Sequence, residues 1–343
     1  MTAGRDARDA GTSAKDSARD PVHGAAGGTL GNAPGKAAGG SAGAGTPHRT
    51  GFVCFVGRPN VGKSTLMNAL VGTKVAITSE KPQTTRRVIR GIVHRPDSQL
   101  IIVDTPGLHR PRTLLGERLD SLVLSTLTEV DVIGFCVPAN ERIGKGDRFI
   151  AEKVSAIRET PVVAVVTKCD LASRKEIAEQ LLAVSRLADF EDIVPVSAQA
   201  GEQLDVLTDV LVKHLPEGPP LYLDGELTDE PEQVLVGELI REAALEGVRD
   251  ELPHSIAVVV DEMHPRPGRE DLLDIYAVMF VERPSQKAIV IGQKGERLKQ
   301  VGTKARKQIE ALLGTRVYLD LHVKVAKDWQ RDPKQLRRLG FFD

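Results

Sequence analysis

Aromatic residues are scarce in this chain, at 3% of 343 residues with a single tryptophan, so its cores must be built mainly from Val, Leu, Ile and Ala. The three cysteines lack the spacing of metal ligands and are too few for a disulfide framework. No apolar run approaches the roughly 20 residues of a membrane span, and the N-terminus lacks the apolar core of a signal peptide. These absences exclude a disulfide scaffold and a membrane-spanning protein, and predict a cytoplasmic protein.

Composition divides the chain into segments. Residues 1–48 contain almost no large apolar side chains, which predicts a disordered, Ala/Gly-rich extension. From 49 to 216, short apolar strands alternate with amphipathic helices, which predicts an α/β domain whose mixed, mostly parallel sheet has helices on both faces. Strands are expected at 52–56, 88–93, 99–103, 132–137, 161–166 and 193–196, and helices at 63–71, 114–129, 146–158, 173–188 and 203–214. Ligands of such folds bind at the carboxyl ends of the strands.

The loop after the first strand has the GxxxxGK[ST] spacing of a phosphate-binding loop. Its glycines allow backbone N–H groups to turn toward a phosphate, and the helix that follows adds its positive dipole end. Lys63 can then reach the β- and γ-phosphates, and the Ser64 hydroxyl can bind Mg²⁺. The residues predicted to contact the nucleotide here are Gly57, Arg58, Pro59, Asn60, Val61, Gly62, Lys63, Ser64 and Thr65.

Two further segments indicate a nucleotide switch. Asp104-Thr105-Pro106-Gly107 follows a buried strand, where Asp104 can hold Mg²⁺ and the Gly107 N–H can meet a γ-phosphate. The polar stretch 81–86 precedes it and contains two threonines, one of which can bind Mg²⁺ while the γ-phosphate is present. We favour Thr85 over Thr84, so the predicted metal ligands are Ser64, Thr85 and Asp104.

A fourth segment, Thr167-Lys168-Cys169-Asp170, predicts the base. A carboxylate at Asp170 can accept hydrogen bonds from N1–H and the N2 amino group of guanine, a donor pair that adenine lacks, so the sequence predicts GTP rather than ATP. Lys168 would lie across the ring. Ser197 and Ala198 end the last strand of the domain and can offer backbone N–H groups to guanine O6.

Together these segments resemble the five motifs of the translation-factor-related GTPases. Gly-Arg-Pro-Asn-Val-Gly-Lys-Ser, Pro-Gln-Thr-Thr-Arg and Asp-Thr-Pro-Gly-Leu-His resemble the Era family in particular. Thr167 stands where many GTPases carry Asn, and it can still hydrogen-bond the phosphate loop. The resemblance implies a GTPase with slow intrinsic turnover that uses GTP, GDP and Mg²⁺.

The catalytic group that completes hydrolysis is less obvious. Leu108 occupies the position at which Ras-like switches use Gln to orient water. Four arginines are nearby finger candidates, each equally compatible with a solvated side chain: Arg58, Arg86, Arg87 and Arg110. The resemblance implies instead that K⁺, held with the help of Asn60, replaces the arginine finger. The predicted catalytic residues are Lys63, Asn60, Thr85 and Gly107.

The rest of the chain predicts a second domain. Residues 217–231 indicate a linker, 232–330 an α+β domain, and 331–343 a basic tail. Helices are expected at 232–249, 287–291 and 296–313, and strands at 255–260, 274–281 and 317–325. This order, with Gly292-Gln293-Lys294-Gly295 between two helices, resembles the type II KH domain that the Era family carries. Its predicted RNA contacts are Gly292, Gln293, Lys294, Gly295, Arg297 and Lys299.

Charge and resemblance together suggest the partner. Residues 286–340 carry 14 Lys and Arg against 5 Asp and Glu, the footprint of a polyanion partner. The resemblance implies a monomer that binds 16S rRNA and the 30S subunit during small-subunit assembly, with peripheral contact at the inner face of the membrane. Two alternatives stay open: a membrane-associated signalling GTPase whose basic domain binds anionic lipid, and an RNA-binding adaptor with a structural nucleotide site.

Overall fold

The computed structural model describes residues 47–79, 81, 84–108, 113–248 and 252–341. The predicted disorder of the N-terminal extension therefore concerns residues that, apart from Pro47 and His48, lie outside the described part. No helix among the described residues is long and apolar enough to cross a membrane.

The first sheet has six strands in the order β2-β3-β1-β4-β5-β6. Only β2 runs antiparallel, against β3, and the remaining neighbours are parallel. The strands are β1 (Arg49–Val56), β2 (Ile89–Arg95), β3 (Ser98–Asp104), β4 (Val132–Pro138), β5 (Val162–Thr167) and β6 (Asp192–Pro195). The central strands are buried along almost their whole length because both faces are covered. The prediction of a mixed, mostly parallel sheet is confirmed.

Helices cover both faces of this sheet. They are α1 (Lys63–Val71), α2 (Leu114–Glu129), α3 (Lys145–Ser155), α4 (Arg174–Ser185) and α5 (Leu204–Lys213). Alternate side chains of β1 point to opposite cores, so Phe55 packs with α1 and α5, whereas Val56 packs with α2, α3 and α4. The helices predicted at 146–158 and 173–188 end earlier, at Ser155 and Ser185.

The second half of the chain forms a three-stranded sheet whose longer helices pack against one face. Its elements are α6 (Glu232–Leu245), α7 (Leu252–Ser255), β7 (Ala257–Arg266), β8 (Arg269–Val281), α8 (Pro284–Ile291), α9 (Glu296–Leu313) and β9 (Arg316–Val325). β8 lies in the centre, antiparallel to β7 and parallel to β9. The predicted order of elements is confirmed. The strand expected at 255–260 begins later because the short helix α7 precedes it, and α8 begins earlier than expected because Pro284 occupies its first turn.

The predicted linker packs along the edge of the first sheet. Leu227 accepts a backbone hydrogen bond from Ile92 of β2 (2.9 Å), and Asp229 pairs with Arg90 (2.8 Å). The side chain of Gln99 bonds the backbone of Tyr222. This segment therefore covers an edge strand that would otherwise expose unpaired backbone groups.

The predicted basic C-terminal tail, 331–343, is folded where the structure describes it. Trp329–Arg331 forms a 3₁₀ turn, and α10 (Pro333–Arg338) follows. Trp329, Leu336 and Leu339 are buried in one cluster with Phe280 of β8 and with Leu115 of α2, and Leu119 of α2 belongs to the same cluster. The described part of the segment 329–341 is thus docked against both halves of the chain, because its few apolar residues lie on one side of a charged sequence.

Candidate functional site

The phosphate loop joins β1 to α1 and depends on two glycines. A Cβ at Gly57 would lie 2.6 Å from the carbonyl oxygen of Cys136, and Gly62 has a φ of 101°. Lys63 begins α1, and its Nζ donates to the carbonyl oxygens of Gly57 (3.3 Å) and Arg58 (3.2 Å). Burial lowers the pKa of Lys63, an effect that the charge of Asp104 opposes. The lysine therefore lies over the loop where phosphates would bind.

The three predicted metal ligands meet at one point. Ser64 and Thr85 place their hydroxyl oxygens 2.6 Å and 3.2 Å from Oδ2 of Asp104 and 3.1 Å from each other. The other carboxylate oxygen of Asp104 is buried and has no hydrogen-bond partner. Burial raises the pKa of Asp104, while the bond from Ser64 and the charge of Lys63 lower it. Two hydroxyls and an under-coordinated carboxylate are hard oxygen donors, so this set fits Mg²⁺.

The choice between the two switch threonines has a geometric answer. The Thr84 hydroxyl donates to the carbonyl oxygen of Lys81 (2.6 Å), away from the cluster. Only Thr85 directs its hydroxyl toward Ser64 and Asp104. The preference for Thr85 therefore agrees with the geometry, although its role as a metal ligand stays a prediction.

The base-binding segment is tied to the phosphate loop. The Thr167 hydroxyl donates to the carbonyl oxygen of Val61 (2.6 Å), the contact expected of Thr at this position. The Ser197 hydroxyl donates to Oδ1 of Asp170 (2.6 Å), which orients the carboxylate. Lys168 has a φ of 57°, a left-handed conformation that turns the chain between strand and Asp170.

A cavity of about 780 Å³ connects the two segments. Its lining includes Asn60, Ser64, Thr85, Gly107, Asp170 and Ala198, all predicted from the sequence. Thr105 and Ser197 do not line it and are fully buried behind it. A Cβ at Gly107 would lie 2.8 Å from the backbone nitrogen of Pro59, so only glycine lets the chain after β3 approach the phosphate loop this closely.

The sequence did not predict that α6 of the second half forms another wall of this cavity. Glu242, Leu245 and Glu246 line it. Glu242 accepts a hydrogen bond from the backbone N–H of Thr78 (2.9 Å) and pairs with Lys74, both in the first half. One feature of the sequence could have indicated this contact. Glu242 lies on the apolar side of a predicted helix, and a buried carboxylate needs hydrogen-bonding or charged partners.

The candidate arginine fingers have other partners. Arg58 pairs with Asp147 (2.7 Å) and Glu141 (3.0 Å). Arg86 is buried, and Arg87 donates to the carbonyl oxygen of Leu339 (3.3 Å). Arg110 lies outside the described residues. Within the described ranges, the cavity has no arginine in its lining.

The Gly292–Gly295 loop turns the chain between α8 and α9. Gly292 has φ 74° and ψ 178°, a conformation that only glycine adopts readily, and a Cβ there would lie 2.6 Å from Cβ of Arg297. Gln293, Lys294 and Lys299 are exposed, as a nucleic-acid contact requires. The Arg297 guanidinium donates to the carbonyl oxygen of Glu246 (2.7 Å), just beyond the C-terminal end of α6, and so holds two helices together. Its contact with RNA stays a prediction.

Comparison with known proteins agrees with this two-part architecture. The profile of the 50S ribosome-binding GTPase family matches residues 52–168, and that of the KH domain matches residues 251–330. The chain is 69% identical to GTPase Era of Streptomyces coelicolor over 306 residues, which span 87% of this chain and 96% of that protein. It is 67% identical to GTPase Era of Mycolicibacterium smegmatis over 298 residues, which span 86% and 100%.

Two solved structures share the fold at a TM-score of 0.82 and 38% identity. One is Era in complex with MgGDPNP and nucleotides 1506–1542 of 16S ribosomal RNA, covering 86% of this chain and 99% of that chain. The other is a point variant of Aquifex aeolicus Era bound to GDP·AlF4⁻, covering 85% and 99%. The two domains, their order and the near-complete span of these relatives lead to one conclusion: the chain belongs to the GTPase Era family.

Proposed function

We propose that this GTPase binds 16S rRNA through its KH domain and acts as a monomeric, GTP-timed factor in 30S subunit assembly in the cytoplasm. The observation that carries the proposal is the presence in one chain of the Ser64–Thr85–Asp104 cluster and a Gly292–Gly295 loop whose two central side chains are exposed. A solved relative of 38% identity was captured with both a magnesium-bound GTP analogue and a 16S rRNA segment. These two ligands match the chemistry of the two sites.

In the nucleotide site, Ser64, Thr85 and Asp104 would hold Mg²⁺, which supplies charge neutralisation between phosphate oxygens. Lys63 adds a cation beside the phosphate loop, and the backbone N–H of Gly107 donates toward the γ-phosphate. Asp170 selects guanine through its two carboxylate oxygens. Each of these residues binds or orients the substrate, so turnover depends on positioning and electrostatics rather than on a covalent intermediate.

We further propose that K⁺, bound with the help of Asn60, supplies the charge that other GTPases take from an arginine. Asn60 lines the cavity, while the described arginines near it are paired or buried elsewhere. GTP turnover in K⁺ should therefore exceed turnover in Na⁺, and Asn60→Ala should abolish the difference. Equal rates of the unmodified protein in the two salts would eliminate this role.

The RNA surface continues from the loop onto α9. Lys294 and Lys299 are exposed near the loop, and Arg306 and Lys307 are exposed further along the same helix. Phosphate contacts of this kind make affinity depend on salt, by about 0.7 in the logarithmic slope for each contact with a single strand. Charge reversal at these positions should therefore reduce both the affinity for RNA and its salt dependence.

The test measures binding of the full chain to an RNA copy of the 3′ end of 16S rRNA, with a scrambled RNA as competitor. Lys294→Glu combined with Lys299→Glu should weaken binding at least tenfold, each lost contact contributing about 1 kcal/mol or more. The matched control combines Lys175→Glu and Lys213→Glu, which change the same charge on exposed lysines of α4 and α5. Equal losses in the two double variants would refute a KH-specific surface.

Two parallel measurements separate the alternatives. Vesicles with and without anionic lipid test membrane contact, and loss of vesicle binding without loss of RNA binding in the KH variant would favour the signalling reading. GTP turnover of the unmodified protein, with Lys63→Ala as control, tests the adaptor reading, because a structural nucleotide site would show no turnover that depends on Lys63. The proposal expects Lys63→Ala to abolish turnover while RNA binding persists.

A further inference from the structure

The segment that carries Thr85 is held by the KH half of the chain. Arg241 of α6 donates to the carbonyl oxygen of Thr84 and also pairs with Glu238 (2.5 Å). On the other side of Thr85, the guanidinium of Arg86 enters a socket in the second domain. The residue that faces the metal cluster is therefore flanked by two anchors, neither of which contacts the cavity through its own side chain.

The Arg86 socket consists of backbone carbonyls and one aromatic ring. Nη1 donates to Ile256 (2.7 Å), and Nη2 donates to His254 (2.8 Å) and Pro253 (3.0 Å). The guanidinium carbon lies 5.6 Å from the ring centre of Trp329. The fork of a guanidinium meets three carbonyls at once, which the single ammonium of Lys cannot reproduce at the same distances.

Burying the Arg86 guanidinium in this socket has a larger desolvation cost than a purely structural contact would have. Arg86 is 1% exposed and forms its side-chain hydrogen bonds with carbonyl oxygens. A buried cation without a carboxylate against it is expensive, and an apolar residue of similar volume is often equally stable at such a position. The arginine therefore calls for an explanation other than stability.

We propose that Arg86 is a positioning residue for GTP hydrolysis: its socket of carbonyls from 253–256 and the Trp329 ring fixes the Thr85 hydroxyl beside Ser64 and Asp104. The inference rests on the proposed role of Thr85 as a magnesium ligand. Arg86 acts through the peptide it anchors and has no contact with the nucleotide itself. Trp329 in turn packs in one cluster with Leu115, so the socket also contacts α2 of the first half.

Kinetics of Arg86→Lys and Arg86→Met test this proposal, with Arg90→Lys on the neighbouring strand β2 as the matched control. Loss of positioning should lower kcat between about 10-fold and 100-fold and raise the Mg²⁺ concentration for half-maximal rate, with a small change in the KM for GTP. A merely structural role would lower the melting temperature and leave the Mg²⁺ dependence unchanged, and that result would overturn the proposal. If neither variant folds, the same kinetic measurements on Trp329→Phe test the proposal, because that change also weakens the socket.

A double-mutant cycle with Thr85→Ala shows whether Arg86 acts through Thr85. If it does, Arg86→Lys should cost little or nothing further in the Thr85→Ala background. Additive losses would refute the positioning role. Normal Mg²⁺ dependence in Thr85→Ala alone would instead refute the proposed function of Thr85, so the two failures are distinguishable.

The chain offers a direct readout of the socket, because Trp329 is its single tryptophan. Its emission should change between the GDP-bound protein and the protein bound to magnesium and a non-hydrolysable GTP analogue. Thr85→Ala should reduce that difference, whereas Arg90→Lys should preserve it. Identical Trp329 emission in both nucleotide states of the unmodified protein would contradict a link between the socket and the metal ligand.

Discussion

Asp170→Asn should transfer the base preference of this GTPase from guanine to xanthine. The Ser197 hydroxyl donates to Oδ1 of Asp170 (2.6 Å), so an amide at this position is expected to keep its oxygen there and to place its NH₂ group where Oδ2 now lies. Guanine presents two donors to this edge, N1–H and the N2 amino group. Xanthine carries a carbonyl in place of the amino group and therefore accepts a hydrogen bond from the amide.

The size of the effect follows from the bonds involved. A hydrogen bond to a charged group contributes about 1.5–3 kcal/mol, and an unmade bond at a buried group costs a similar amount. Losing one such bond to guanine and placing two donors against each other should weaken GDP binding by about 3–6 kcal/mol, or about 10²- to 10⁴-fold. Xanthosine diphosphate should recover most of that loss.

Competition titration with GDP and xanthosine diphosphate measures both affinities on the same protein. Ser197→Ala is the control, since it removes the orienting hydroxyl but keeps the carboxylate, and should weaken GDP by about tenfold or less without any gain for xanthine. A folded Asp170→Asn protein that kept its GDP affinity, or that failed to gain affinity for xanthosine diphosphate, would show that Asp170 does not contact the base.

Three further changes probe other contacts. Thr167→Ala should lower stability by about 1–3 kcal/mol, because a buried carbonyl of the phosphate loop loses its donor, and Thr167→Asn should restore much of it in thermal melts. Gly292→Ala should lower the urea midpoint clearly more than Gly295→Ala, since a Cβ clashes with a neighbouring helix only at the first position. A thiol reagent near neutral pH should label Cys169 in preference to the other two cysteines, because Cys169 is partly exposed whereas Cys54 and Cys136 are buried. Burial raises the pKa of all three thiols, and that of the two buried ones to about 12; mass spectrometry of the labelled protein checks the order of labelling.

Local chemistry explains why much of the nucleotide site could be predicted. A glycine-rich turn, a strand-end carboxylate and a strand-end Thr-Lys-Cys-Asp each follow an apolar strand, and parallel strands bring their carboxyl ends to one edge. Ser64 follows β1 and Asp104 ends β3, and these strands are parallel neighbours, so strand order predicts that the two residues lie close together. Thr85 was predicted instead from the polar segment between the two motifs. The boundaries of α1 and α2 followed from the same alternation of apolar and polar residues.

Contacts between the two halves could not be predicted in this way. Arg86 lies in a polar segment and resembles a solvated residue, because the carbonyls that bury it come from residues about 170 positions later. Arg297 follows a Gly-x-x-Gly loop and resembles a phosphate ligand, yet its partners are the carbonyls near the end of α6. No periodic pattern signals such pairs, since each depends on backbone groups that every sequence possesses.

Trp329, the single tryptophan of this aromatic-poor chain, lies where its two halves meet. A guanidinium without a carboxylate partner needs a flat, polarisable surface on its open side, and an indole provides the largest such surface. The same ring needs a partner for its own N–H, which donates to the carbonyl oxygen of Ser255 (3.0 Å). Phe341 stacks on the ring of Trp329, with their ring centres 5.3 Å apart. Because Ser255 belongs to α7, which supplies part of the Arg86 socket, one side chain fixes the C-terminal segment and the socket together. Phe at 329 would lose the N–H bond and part of the stacking surface, so this position has a stronger physical requirement for Trp than an ordinary core site.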